Sequence, residues 1–98
     1  MNVQEVLKTK DVSVRVMELD LGTFTEWHYH SEVTDYFVCL SGLVKVETKN
    51  PDKVTVLSPG QRIGIVHNQP HRVVNAYDKK SEYLLIQGVG KYDFNMVS

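Results

Sequence analysis

Two histidines separated by a single residue, His28 and His30, close the run Gly22-Thr23-Phe24-Thr25-Glu26-Trp27-His28-Tyr29-His30. If that run is extended, both imidazoles point to one face, because side chains alternate across a strand. Neutral imidazole is the commonest metal ligand, so the pair suggests a metal site whose other ligands come from elsewhere in the chain. Ser31 to Thr34 are polar or β-branched and can close a hairpin, which would set Asp35 opposite His30 and Phe37 opposite His28. Directly opposed residues of an antiparallel pair have Cβ atoms about 5 Å apart, so Asp35 would reach the same ion. Glu32 shares the alternation of positions 28 and 30, but strand rise would carry it roughly 13 Å from His28. Asp35 is therefore the expected carboxylate.

The other two histidines, His67 and His71, fall in the run from Ser58 to Asn75. A short loop, His67 to Pro70, separates two β-rich segments and leaves His71 at the start of the second. Three imidazoles and one carboxylate, His28, His30, His71 and Asp35, make a ligand set suited to a first-row divalent ion. His67 sits where the mouth of such a site should be; it could move a proton or touch a substrate, although a solvated loop residue is the plainer reading. If the loop closes a hairpin, Arg62 lies opposite Asn75 on the face that carries His71. An inward arginine there could hold a substrate carboxylate with two parallel hydrogen bonds. Cys39 shares a face with Asp35 and Phe37 and reads as inert packing, since no basic group is placed to activate it. Ser31 and Ser41 have no general-base partner by spacing, so a serine triad is not expected. Phe24, Trp27 and Tyr29 read as packing groups.

The elements that must position these residues are short strands. Val12 to Leu19 alternates apolar with mostly polar residues, as a half-buried strand does. Tyr36 to Leu40 is apolar on both faces, which suggests a strand covered on each side by a second sheet or a subunit partner. Leu43 to Thr48 alternates again, with Lys45 and Glu47 facing away from Val44 and Val46. Lys53 to Leu57, Ile63 to Val66, His71 to Ala76 and Tyr83 to Gln87 follow, separated by turns at Asn50-Pro51-Asp52, Ser58-Pro59-Gly60 and Asp78-Lys79-Lys80. No amphipathic helix, internal repeat or low-complexity tract interrupts the series. Many short strands in 98 residues argue for a single all-β domain over 1–98, a sandwich or barrel.

Composition narrows the partners. Eleven Lys and Arg against twelve Asp and Glu give a net charge of −1, which offers no field for nucleic acid. A single cysteine forms no internal disulfide and fits a reducing compartment. The first ten residues place Glu5 inside their only apolar patch and lack a signal-peptide core. No run approaches the roughly 20 apolar residues of a membrane span. A cytoplasmic protein is expected.

Gly22, His28, His30, Asp35 and Gly42, followed after seventeen residues by Gly60, His71 and Asn75, resemble the two motifs of the cupin superfamily in order and spacing. Three positions depart from that pattern. Asp35 replaces the usual Glu and is about 1.5 Å shorter in reach; Val66 replaces a Pro; Asn68 replaces a Gly, and Asn tolerates the left-handed conformation better than most residues. The resemblance implies a cupin-type jelly-roll β-barrel with one divalent metal, iron, manganese, nickel, zinc or copper, on His28, His30, His71 and Asp35. It implies dioxygenation, isomerisation or epimerisation, or lyase and hydrolase chemistry on a small oxygenated molecule, and often a homodimer. A non-catalytic metal-binding or ligand-sensing module is the alternative. The apolar segments at the two ends of the chain are expected to pair with the second subunit.

Overall fold

A computed structural model describes residues 2–97. Every regular element in it is a strand: β1 (Val3–Lys8), β2 (Ser13–Leu19), β3 (His28–Tyr29), β4 (Thr34–Ser41), β5 (Val44–Thr48), β6 (Lys53–Leu57), β7 (Arg62–Ile65), β8 (His71–Asn75), β9 (Ser81–Gly88) and β10 (Asn95–Met96). They form two five-stranded antiparallel sheets, ordered β1-β2-β9-β4-β7 and β10-β3-β8-β5-β6. The sheets face each other as the two layers of a jelly-roll barrel. No helix among the described residues is long and apolar enough to cross a membrane.

Alternation explains most of the pattern. In β5, Val44, Val46 and Thr48 are buried and Lys45 and Glu47 are partly exposed. In β9, Ser81, Tyr83, Leu85 and Gln87 face inward. These inner faces meet in a core that includes Met17, Leu19, Phe37, Val44, Val46, Val73, Tyr83 and Leu85. Burying a Leu- or Phe-sized side chain contributes about 1.5–3 kcal/mol, and replacing Phe37 by alanine should cost about 3–5 kcal/mol.

Two expected hairpins are crossovers. β3 pairs with β8 and β10, whereas β4 pairs with β7 and β9, so the turn after His30 carries the chain from one sheet to the other. Asp35 lies opposite Ile65 and Gln87 rather than His30, and Phe37 lies opposite Ile63 and Leu85 rather than His28. The eight-residue β4 gains more from the eight-residue β9 and the four-residue β7 than from the two-residue β3, and Val33, buried in the turn, anchors the crossing. The loop after β7 crosses in the same way, so Arg62 is opposite Val38 on an outer strand and not opposite Asn75. The chain ends are also taken up within the molecule: β1 extends the first sheet beside β2, and β10 extends the second beside β3. Tyr36 and Leu40, on the outer face of β4, remain exposed.

A candidate metal centre between the sheets

β3 and β8 lie side by side with His28 directly opposite His71. Alternation past the end of β3 turns Tyr29 outward and returns His30 to the interior, where His28, His30 and His71 are all buried. From the facing sheet β4 contributes Asp35, also buried, so the cluster bridges the two layers. The three histidines and Asp35 can each offer one ligand atom, and these atoms lie within 4.8 Å of one another. The four residues expected from the sequence are thus brought together, by a route different from the expected hairpin.

The backbone fixes which nitrogen faces the centre. His28 Nδ1 is 2.6 Å from the Glu26 carbonyl, His30 Nδ1 is 2.6 Å from the Asp93 carbonyl, and His71 Nδ1 is 2.8 Å from the Gln69 carbonyl. A carbonyl oxygen only accepts, so each Nδ1 carries its proton and donates it, which leaves Nε2 as the metal-facing atom. His30 Nε2 and His71 Nε2 lie 3.1 and 3.0 Å from Asp35 Oδ2. Two ligand atoms about 2.1 Å from one ion and at right angles stand about 3.0 Å apart, so these separations fit adjacent positions around one metal. Phe94 stacks on the His28 ring at a centroid distance of 4.3 Å and an angle of 16°. Its packing holds the ring in plane.

Charge is distributed unevenly across the cluster. Burial lowers the pKa of His28 to about 4, against the Glu26 carbonyl bond, and the neighbouring histidines add to the lowering. Burial also opposes a proton on His30, but the hydrogen bond and charge of Asp35 outweigh it and raise the pKa. Burial opposes charge on Asp35 itself, yet hydrogen bonds from His30, His71 and Gln87 hold its carboxyl well below the usual range. The site therefore keeps Asp35 charged and His28 neutral near pH 7, whereas the proton that His30 shares with Asp35 through Nε2 would have to leave when an ion binds.

A cavity of about 130 Å³ opens beside the ligand atoms, and its walls include Arg15, Thr25, Tyr83, Gln87, Tyr92 and Phe94. None of these six was singled out in the sequence as a site residue. Gln87 and Tyr83 were legible only as parts of a strand, and the segment after Gly88 carried no signal beyond its aromatics. Gln87 lies in the centre of the polar network: its Nε2 donates to Asp35 Oδ1 at 2.9 Å, and its Oε1 accepts from Arg15 Nη2. The two expected catalytic candidates are elsewhere. His67 is exposed in the β7–β8 loop and does not line this cavity. Arg62 is exposed on the outer face of the first sheet, in a groove with Tyr36, Val38 and Ile86. Arg62 alternates with the inward Ile63 and Ile65 and so faces outward, and His67 lies in the loop that crosses to the other sheet. Glu32 is exposed and its Oε1 accepts from the Lys91 N–H, outside the site. Cys39 is buried and its thiol is pushed up by that burial, in keeping with inert packing. Phe24 is exposed rather than packed inside, with the Arg72 guanidinium 5.7 Å from its ring, and Trp27 lies between Lys49 and Arg72.

Comparison with known proteins agrees with this geometry. Among curated proteins no sequence matches the chain. Among solved structures, an uncharacterized protein with a double-stranded β-helix domain from Klebsiella pneumoniae superposes with a TM-score of 0.85 at 23% identity, covering 99% of this chain and 84% of the other. KdgF from Halomonas sp. gives 0.78 at 20% identity, over 91% and 78% of the two chains. An oxalate oxidase gives 0.80 at 16% identity, over 89% of this chain and 46% of its own. At these identities the likeness concerns the fold. The family description "Cupin domain" matches residues 15–87, a span that runs from the inward arginine of β2 to the glutamine beside Asp35. The chain belongs to the cupin family.

Proposed function

We propose that His28, His30, His71 and Asp35 hold one divalent transition metal, iron, manganese, nickel, zinc or copper, and that the protein is an enzyme acting on a small oxygenated molecule beside it. One observation carries this reading: all three imidazoles are pinned at Nδ1 by backbone carbonyls while their Nε2 atoms converge with Asp35 on the edge of a cavity. A bound ion supplies Lewis acidity to an oxygen that enters the cavity, for dioxygenase or isomerase-type chemistry. The protein's own groups orient that molecule, and the aromatic wall of Tyr92 and Phe94 excludes water from one side. The oxalate oxidase that shares the fold acts on a molecule of this class.

The alternative is a non-catalytic metal- or ligand-binding module. It is favoured by Asp35, which stands where the cupin motif has the longer Glu and so alters the Lewis acidity of a bound ion. Elemental analysis of the untagged protein beside a His28→Ala/His71→Ala variant tests the shared premise. One metal per chain, lost in the variant, is expected; no metal in either after incubation with iron, manganese, nickel, zinc or copper ends the enzyme reading and leaves only a metal-free ligand site. Turnover screens of the loaded protein then separate enzyme from sensor.

The reading places the protein in the cytoplasm as a twofold homodimer. The outer face of the first sheet carries Val14, Ile86 and Tyr36 in one cross-strand row and Val16, Leu84 and Val38 in the next, an apolar surface that a second copy would cover. Light scattering should give twice the chain mass, falling to the monomer mass in Val38→Lys; a monomeric wild type contradicts the dimer.

A further inference from the structure

Arg15 has an unusual position for a cation. It shares its parity along β2 with the core residues Met17 and Leu19, so it points between the sheets instead of out to solvent. One of its five N–H donors is used: Nη2 donates to Gln87 Oε1. Nε is buried with no hydrogen-bond partner, and no carboxylate of the described residues forms an ion pair with the guanidinium. Arg72 is the instructive contrast. Its Nε is likewise buried without a partner, but its Nη2 lies 3.3 Å from Glu47 and its charge is matched on the outer face. An inward cation with an unused donor costs stability unless something supplies the missing anion.

The surroundings say where that anion would sit. Arg15 lines the metal cavity, and it also lines an outer groove of about 240 Å³ together with Glu5, Lys8, Gln87 and Tyr92. Glu5 lies opposite Arg15 on β1, but it is exposed and forms no ion pair with it, so the cavity side of the guanidinium stays unmatched. A single amide, that of Gln87, separates its guanidinium from the Asp35 carboxylate. That amide can be oriented in one way only, because the guanidinium only donates and the carboxylate only accepts. Gln87 therefore holds Arg15 against the metal cluster without neutralising it.

We propose that Arg15 is the anchor for a carboxylate of the ligand, whose other oxygen reaches the cluster of His28, His30, His71 and Asp35. This deepens the reading of the same site and rests on it for that second contact. The remaining donors of a guanidinium match the two oxygens of a carboxylate. Size limits the class further. An engineered cavity of about 150 Å³ accepts benzene, with six non-hydrogen atoms, and the cavity here is about 130 Å³. A two- or three-carbon acid bearing a second oxygen fills that volume, and that is the proposed class of ligand.

Calorimetric titration with glycolate tests this on wild type, Arg15→Met and Arg15→Lys, each stripped of metal and again after loading with manganese. Ethylene glycol serves as the uncharged control and citrate as the oversized one. Wild type should bind glycolate in both forms and more tightly when loaded, with neither control binding comparably. Arg15→Met should lose at least tenfold in glycolate affinity in both forms while its manganese content matches wild type and its thermal unfolding remains cooperative, and Arg15→Lys should fall between. Equal glycolate affinity in wild type and Arg15→Met overturns the proposal. So does a wild type that binds no glycolate in either form, or one that binds citrate as tightly as glycolate. Failure of manganese, iron, nickel, zinc and copper alike to load would instead sink the metal reading, and the metal-free titration would still decide the role of Arg15.

Discussion

Strand β8 carries a buried polar side chain at each end, His71 at its first residue and Asn75 at its last, both on the inner face. Their surroundings differ in kind. Asn75 Nδ2 donates to the carbonyls of Leu19, Asp20 and Lys79 at 3.2, 3.1 and 2.8 Å, and its Oδ1 accepts from Tyr77 N–H and the Ser81 hydroxyl at 3.0 and 2.8 Å. Ser81 in turn accepts from the Leu43 N–H. The network is closed by the backbone, and it ties three loops together. At the other end, the backbone satisfies only the far side of each imidazole, and the near side faces other ligand atoms and a cavity. Buried polarity that is exhausted by the main chain specifies a fold, whereas buried polarity left facing open space is available to a ligand.

The comparison breaks if the two ends respond alike to substitution. The largest effect expected is on metal affinity in Asp35→Leu. On the proposed ligand set this variant removes a direct ligand, which should exceed the 10–100-fold effect typical of outer partners, so affinity for manganese or zinc should fall by about 100-fold or more, near 3 kcal/mol. Competition with a chromophoric chelator measures it. Asn75→Ala should do the reverse: it strands several buried backbone groups and should lower unfolding free energy by about 3 kcal/mol, read by urea titration, with metal content unchanged. If Asn75→Ala loses its metal at fixed stability, the division of labour along β8 is wrong.

Gly42 sharpens the structural end. Its φ is +75°, and a Cβ placed there would stand 2.2 Å from Ser81 Oγ. Gly42→Ala should therefore cost about 2 kcal/mol of stability, from strain and a displaced hydroxyl, and leave metal binding untouched. A neutral Gly42→Ala would mean that Ser81 can rotate away and that the network is looser than its distances imply.

The pH dependence of the metal-free chain separates the two ends further, because Asn75 and Ser81 do not titrate. His28 has a folded pKa of about 4, below its ordinary 6.5, so between those values the unfolded chain binds the extra proton. Stability from His28 is then complete above pH 6.5 and is lost as the pH falls toward 4, with a slope of at most about 1.4 kcal/mol per pH unit. His30, whose folded pKa is raised, contributes fully below 6.5 and loses its contribution only as the pH rises through the raised value. Asp35, held low, loses its contribution only as the pH falls below its unfolded value of 3.8. Urea midpoints between pH 4 and 6.5 should slope for wild type and flatten in His28→Gln; equal slopes would contradict the assignment.

What the residues revealed and what they concealed divide along the same line. Strands were legible wherever one face was buried, as in β5, because alternation records burial directly. The cluster of His28, His30, His71 and Asp35 was legible because three imidazoles and an acid at these spacings are chemically conspicuous. The pairing of the strands was not. A short polar loop such as Ser31 to Val33 has the same composition whether it closes a hairpin or crosses between layers, so Asp35 was matched to the wrong neighbour and Arg62 to the wrong face. Arg15 was hidden for a related reason. The apolar residues of β2 change parity, Val14 and Val16 on one face and Met17 and Leu19 on the other, and simple alternation then assigns the arginine to solvent. Tyr92 and Phe94 reach the pocket from an irregular segment with no period to read.

The smallest effect expected is at Asn68, which adopts the same left-handed backbone as Gly42 but at the metal end, with φ +65°. Its N–H donates to the His30 carbonyl at 2.7 Å, so this turn supports the segment that carries a ligand. Unlike Gly42, Asn68 is exposed and already carries a side chain. Asn68→Gly should thus be nearly neutral, within about 0.5 kcal/mol, whereas Asn68→Ala should cost about 1 kcal/mol because alanine lacks asparagine's tolerance of this region. Thermal unfolding of the two variants checks the order. Metal affinity should not change in Asn68→Gly, because the bond to His30 is made by the backbone and survives the loss of the side chain. A drop in affinity there would show that His30 depends on the rigidity of this turn as well as on the Asp93 carbonyl, and the boundary between the structural and the ligand-facing end would then lie inside the loop.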